Sequence, residues 1–195
     1  MLKMHHLKWT PWLIPFLFFM LIQITALIVA PGDYRIISDQ ISWLGDKTSA
    51  FGWMMKSGWI GFGFLILLVV AWYKQKEDLP PSILLPMMVF GIALMLMGLW
   101  NVDRFDDVMT TYHFLAYYIA QLSVILVALL HVFLVKVETL RLPNLGFALC
   151  MLIFALLAYF IPSIAGLMER IFWLIVILWL WMLYGKMDLS MSKNE

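Results

Sequence analysis

Glu169 and Arg170 stand side by side between two apolar runs, Leu145 to Ile161 and Ile171 to Gly185, and form the sharpest chemical signal in the sequence. Each run is barely long enough to cross a ~30 Å hydrocarbon layer at about 1.5 Å per residue, which brings the pair to the membrane surface or beneath it. Two readings follow. In the first, Arg170 is buried and takes a carboxylate across the bundle, Asp39 or Asp103, because an unpaired guanidinium there is expensive. In the second, the pair opens a helix, with Glu169 favoured by the positive N-terminal dipole and Arg170 reaching outward.

Other polar groups fall in connections on the same side. Ser38, Asp39 and Ser42 belong to a segment, Ser38 to Gly45, expected to form a short helix or turn on the bundle mouth, where Ser38 and Ser42 share a face. They either present hydroxyls and a carboxylate to a ligand, or serve the turn itself, with Ser38 or Asp39 as its cap and Gly45 as its end. His113 follows Asp103, Arg104, Asp106 and Asp107, and a carboxylate near its imidazole would suit proton transfer. His131 comes eighteen residues later, so roughly 27 Å of helix separates the two and they cannot share a metal. With His5 and His6 expected on the opposite side, no metal centre is expected, and no cofactor motif is present. Fifteen methionines scatter without a ligand pattern and suit adaptable packing.

The elements that must position these groups are apolar helices. Of 195 residues, 64% are hydrophobic and 13% charged, about half the charged share of a soluble chain. That composition makes the bilayer the solvent and gives an all-α fold, a polytopic transmembrane helix bundle forming one domain. Six spans are expected, over 9–30, 52–72, 83–100, 112–135, 145–161 and 170–185, with Pro162, Ser163 and Gly166 marking a tight hairpin between the last two. The first run is longer than a secretory signal core, although Ile28-Val29-Ala30 imitates a cleavage site. Lys136 to Asn144 reads as a connection, and Ser57 with Gly61 as a small-residue helix contact. Trp43, Trp53, Trp100, Tyr112 and Trp173 read as one interfacial belt.

Lysine and arginine favour the terminal side of the alternating loops, which puts both termini in the cytoplasm of a multi-pass protein of the cell membrane. Net charge of +1 and the lack of a basic run argue against nucleic acid. Cys150 has no cysteine partner in the chain, which excludes an intrachain disulfide and leaves packing in lipid.

Tyr34 to Gly45 resembles the S-D-x-I-S-x-L-G first loop of a family of bacterial and archaeal membrane proteins, domain of unknown function 998. Gly98 to Phe114 resembles that family's segment leading from glycine and aspartate to a histidine, and Gly166 to Trp179 is similar to its G-x-x-E-R helix start followed by tryptophan. The match puts Ser38, Asp39, Ser42, Gly45, Asp103, His113, Glu169 and Arg170 at motif positions, while Asn101-Val102-Asp103 replaces a turn that commonly holds proline. It implies topology and no activity. The reading that joins these groups is binding or transport of an amphiphile or lipid headgroup at an extracytoplasmic site, with Arg170 or Arg104 attracting an anionic group and Ser38, Asp39 and Ser42 orienting it. Two alternatives stand beside it: an intramembrane hydrolase or transferase using His113 with acidic residues, and an accessory subunit packed against a membrane-protein partner.

Overall fold

A backbone inside hydrocarbon must satisfy its own hydrogen bonds, and a sequence built of long apolar runs does so as helices. The computed structural model describes residues 11, 13–46, 49–76, 80–100, 102, 107–134 and 138–191. They form α1 (Leu13–Ile28), α2 (Gly52–Lys76), α3 (Pro81–Leu99), α4 (Asp107–Leu134), α5 (Glu138–Phe160) and α6 (Ala165–Met191). Two 3-10 turns, Ile41–Gly45 and Pro162–Ile164, complete the described elements, and no strand occurs among them. The helices α2 to α6 are each long and apolar enough to cross a membrane, whereas α1 has 16 described residues.

Each helix packs on the next in sequence and α6 touches α1, so the six close into a ring. Aromatic side chains fill its middle: Phe19 lies 4.6 Å from Phe62 in a stacked pair, and Trp173 lies 5.9 Å from Trp59. Outward-facing Leu17, Leu21, Leu68, Leu85, Leu122 and Leu174 are exposed, as lipid rather than water as solvent requires. The least buried span is α5, whose exposed face includes Leu149, Leu152, Ile153 and Cys150.

Two details depart from the sequence-based expectation. The connection expected over Lys136 to Asn144 is helical from Glu138, because Pro143 falls near the fraying start of α5, where a lost hydrogen bond costs least. Trp173 leaves the expected interfacial belt and is only 2% exposed, since it lies one turn below Glu169 on the inward face of α6. Trp53 does face outward.

Glycines set the spacing of the first three helices. A Cβ on Gly58 would stand 2.5 Å from Ile22, one on Gly61 2.9 Å from Phe18, and one on Gly63 2.4 Å from the Gly91 carbonyl. The last contact is backbone to backbone, so neither side can yield by turning a side chain. Gly63→Val is expected to push α2 from α3 and destabilise the protein by about 2 kcal/mol, seen as a lower unfolding midpoint in detergent. Gly146→Val serves as the control, because no heavy atom lies within 4 Å of the added Cβ.

Candidate functional site

The connection between α1 and α2 has little regular structure, so its carbonyls need donors from elsewhere. The start of α6 supplies them. Gly166 N–H donates to the Ser38 carbonyl at 3.2 Å and Leu167 N–H to the Ile37 carbonyl at 2.9 Å, satisfying donors that a helix N-terminus leaves free. Arg170 extends this donor set: its Nη1 donates to the carbonyls of Ile36 (2.8 Å), Asp39 (3.2 Å) and Gly166 (2.7 Å), and its Nη2 to the Tyr34 hydroxyl. Tyr34 passes the chain of bonds on, its proton shared between the carbonyls of Asp39 at 3.1 Å and Gln40 at 3.2 Å. Gly166 is required by the approach, because a Cβ there would stand 2.2 Å from the Asp39 carbonyl oxygen.

Arg170 therefore joins a network that is only half-buried, and among the described residues its hydrogen-bond partners are carbonyls and a phenol rather than the expected carboxylate. The Asp39 carboxylate is occupied locally, accepting from the Arg35 N–H at 2.8 Å and the Ser38 hydroxyl at 3.1 Å. It closes the turn before Ile41–Gly45 instead of capping it; the residue at the cap is Gln40, which makes no side-chain bond there. Ser38 is half-buried and Ser42 buried, so the two are not presented alike. Asp103 and Arg104 lie outside the described residues.

Glu169 points the other way from Arg170. It is 0% exposed; its Oε2 accepts the Ile41 N–H at 2.7 Å, and its Oε1 completes no hydrogen bond. The indole N–H of Trp173, one turn on, is near enough to attract that oxygen yet reaches no hydrogen-bond geometry. Gln23 Nε2, Trp59 Nε1 and His113 Nε2 are likewise buried without a hydrogen-bond partner among the described residues. Measured along their helices from the ends nearest the connection, Glu169, Gln23, His113, Trp59 and Trp173 lie roughly 6 to 12 Å deep. They stand at a similar depth on α1, α2, α4 and α6, with Trp59 and Trp173 5.9 Å apart, under a turn that seats buried Ile41 and Leu44 on the bundle. Tyr117, one turn below His113, lies in the field of the Glu169 carboxyl and accepts from Gln121 Nε2 at 2.7 Å.

His113 is held by the end of α3. Its Nδ1 faces the carbonyls of Met97 at 2.9 Å and Trp100 at 2.8 Å; carbonyls only accept, so Nδ1 carries a proton and caps the frayed helix. In the neutral ring Nε2 is then an acceptor. At the opposite end of the bundle, His131 binds the Val127 carbonyl at 2.8 Å and meets Trp179 edge-on, while Trp179 donates to Asn144 Oδ1 at 2.7 Å.

The loop and helix that Arg170 joins are also two of the three segments carrying the family resemblance. A family model described as "Protein of unknown function (DUF998)" matches residues 13–185. The chain belongs to this family. No curated protein and no solved structure matches the chain. The motif G-x-x-E-R has a physical meaning here: glycine admits the loop backbone, glutamate turns inward to the Ile41 N–H, and arginine turns outward to the loop carbonyls. Gln23, Trp59 and Trp173 escape the sequence-based site. Gln23 is the strongly polar interior residue of the first run, but the two indoles carry no signal that separates interior from interface.

Burial raises the Tyr34 hydroxyl from 10.0 to about 12, against the opposing pull of the Arg170 guanidinium. The folded chain thus holds this proton more tightly than the unfolded one, and the resulting stabilisation is complete below pH 10.0 and lost as pH rises towards about 12. Stability should fall across that interval more steeply in the wild type than in Tyr34→Phe, measured by chemical unfolding at stepped pH. The difference in tyrosinate absorbance between the two should show one group ionising near pH 12.

Proposed function

We propose that the protein binds an amphiphile at the end of the bundle closed by the Pro31–Asp46 connection, with the polar head taken by the layer around Glu169. One observation carries this reading: a fully buried carboxyl with one oxygen bound to Ile41 N–H and the other unpaired, in a bundle end where Gln23, Trp59 and His113 at similar depth also hold buried polar atoms without a hydrogen-bond partner among the described residues. Leaving such groups unmatched costs about 1 to 3 kcal/mol each, so a guest that matches them has an affinity waiting for it. The guest's tail has a natural solvent in the surrounding lipid. Arg170 positions the Ser38, Asp39 and Ser42 segment over that layer, its Nη1 and Nη2 donating to the loop and to Gly166.

The connection faces away from the cytoplasm in this reading, since the lysine and arginine excess lies on the terminal side. A single cysteine at Asp33, placed in a Cys150→Ser background, should react with a membrane-impermeant maleimide in intact cells. Labelling only after the cells are opened would reverse the orientation.

Native mass spectrometry of the purified protein provides the test of binding. Wild type should retain an amphiphile through detergent exchange, and Glu169→Gln, which exchanges an acceptor oxygen for an amide group, should retain about tenfold less. Equal retention by the two proteins, or none by the wild type, would count against a head bound at Glu169.

A further inference from the structure

We infer that the head taken by this layer is uncharged and bears hydroxyl groups, as in a glyceride, a glycolipid or a long-chain polyol. The inference rests on the binding reading above and names its ligand class.

The unpaired atoms are of both kinds. Gln23 Nε2 and Trp59 Nε1 are donors, as is Trp173 Nε1 beside the Glu169 carboxyl; Nε2 of neutral His113 is an acceptor, and Glu169 Oε1 accepts when the carboxyl is ionised and donates when it carries the proton. An ammonium head donates and cannot accept, so the amide and indole N–H groups would stay unanswered. A quaternary ammonium neither donates nor accepts a hydrogen bond, so it would answer none of these atoms. A fully ionised phosphate or carboxylate head accepts and cannot donate. It would leave His113 Nε2 unmatched and would bring negative charge against the Glu169 carboxyl where the dielectric is low. Arg170, the cation next to Glu169, gives its donors to the Ile36, Asp39 and Gly166 carbonyls and to Tyr34. A hydroxyl both donates and accepts, and two or three on one head can answer both kinds of atom. The carbon frame carrying them is apolar enough to lie against indole and phenyl rings.

Water has the same hydrogen-bonding capacity, and the experiment separates it from a lipid hydroxyl. Full-length protein in proteoliposomes is unfolded by heat with four probes sharing a twelve-carbon tail: monolauroylglycerol, dodecyl glucoside, dodecyltrimethylammonium and dodecyl phosphate. The two hydroxylated probes should raise the midpoint by about 4 °C, and the charged probes should not. Trp59→Phe and Gln23→Leu should each lose half or more of that shift. As a measurement independent of variants, monoacylglycerol brominated near its head should quench wild-type tryptophan emission more than one brominated at the tail end. A larger shift from the ammonium or the phosphate overturns the hydroxyl assignment and leaves binding at Glu169 standing. No shift from any probe, with no preferential quenching, means that the layer holds water alone and removes both.

Discussion

The structure depends on a mutual debt between a loop and a helix. Near a membrane surface, the carbonyls of an irregular connection and the first N–H groups of a helix are both short of partners, and water becomes scarcer with depth. Here the two sets meet: the carbonyls of Ile37 and Ser38 take the N–H groups of Leu167 and Gly166. A helix offers few such donors, all at its end. Arg170 adds more one turn further along, and its planar fork reaches Ile36, Asp39 and Tyr34 together, which a lysine's single ammonium would not span in the same geometry.

This fastening determines what the neighbouring glutamate can do. Successive residues on a helix point about 100° apart, so a residue beside an arginine that faces the loop turns towards the bundle. Glu169 takes that direction and meets Ile41 N–H, the first residue of the 3-10 turn. The loop is thus held twice, by carbonyls to Arg170 and by an N–H to Glu169, with opposite hydrogen-bonding polarity. Sliding the loop along α6 would break both sets together, which fixes its register alongside the apolar seating of Ile41 and Leu44 in the core.

The helices were legible because hydrocarbon solvent imposes a simple rule on composition, and runs such as Ile83 to Trp100 obey it, interrupted only by Pro86. Glu169 and Arg170 were legible as a pair because charge between two marginal spans is rare. Their hydrogen-bond partners were not, since Ile36, Asp39, Gly166 and Ile41 contribute backbone atoms, and every residue type has those. His113 shows the same limit: its partners are the carbonyls of Met97 and Trp100, present because α3 ends there. The tryptophans expose a different limit. Trp53 and Trp173 both fall near a span's start, but Trp53 faces lipid while Trp173 faces the core. Only the helix rotation distinguishes them, and α2 and α6 lack the one-sided polarity that would reveal it.

Both ends of the bundle hold buried polar atoms without a partner, but they treat their indoles differently. At the end away from the connection, Trp179 N–H is matched by Asn144 Oδ1, while Asn144 Nδ2 and His131 Nε2 complete no hydrogen bond among the described residues. At the loop end, the indoles of Trp59 and Trp173 reach no such partner, although they are buried to a similar degree. For the indoles, packing alone does not account for the difference, because a core that needed only filling could place phenylalanine at both loop-end positions without leaving an N–H unmatched. Glu169 sharpens the point. A carboxyl is costlier to bury than an indole, and one N–H from Ile41 answers only one of its oxygens. The Ile41 bond also ties Glu169 to the loop, so any group that engages Oε1 does so within the same structure that closes the connection over α6.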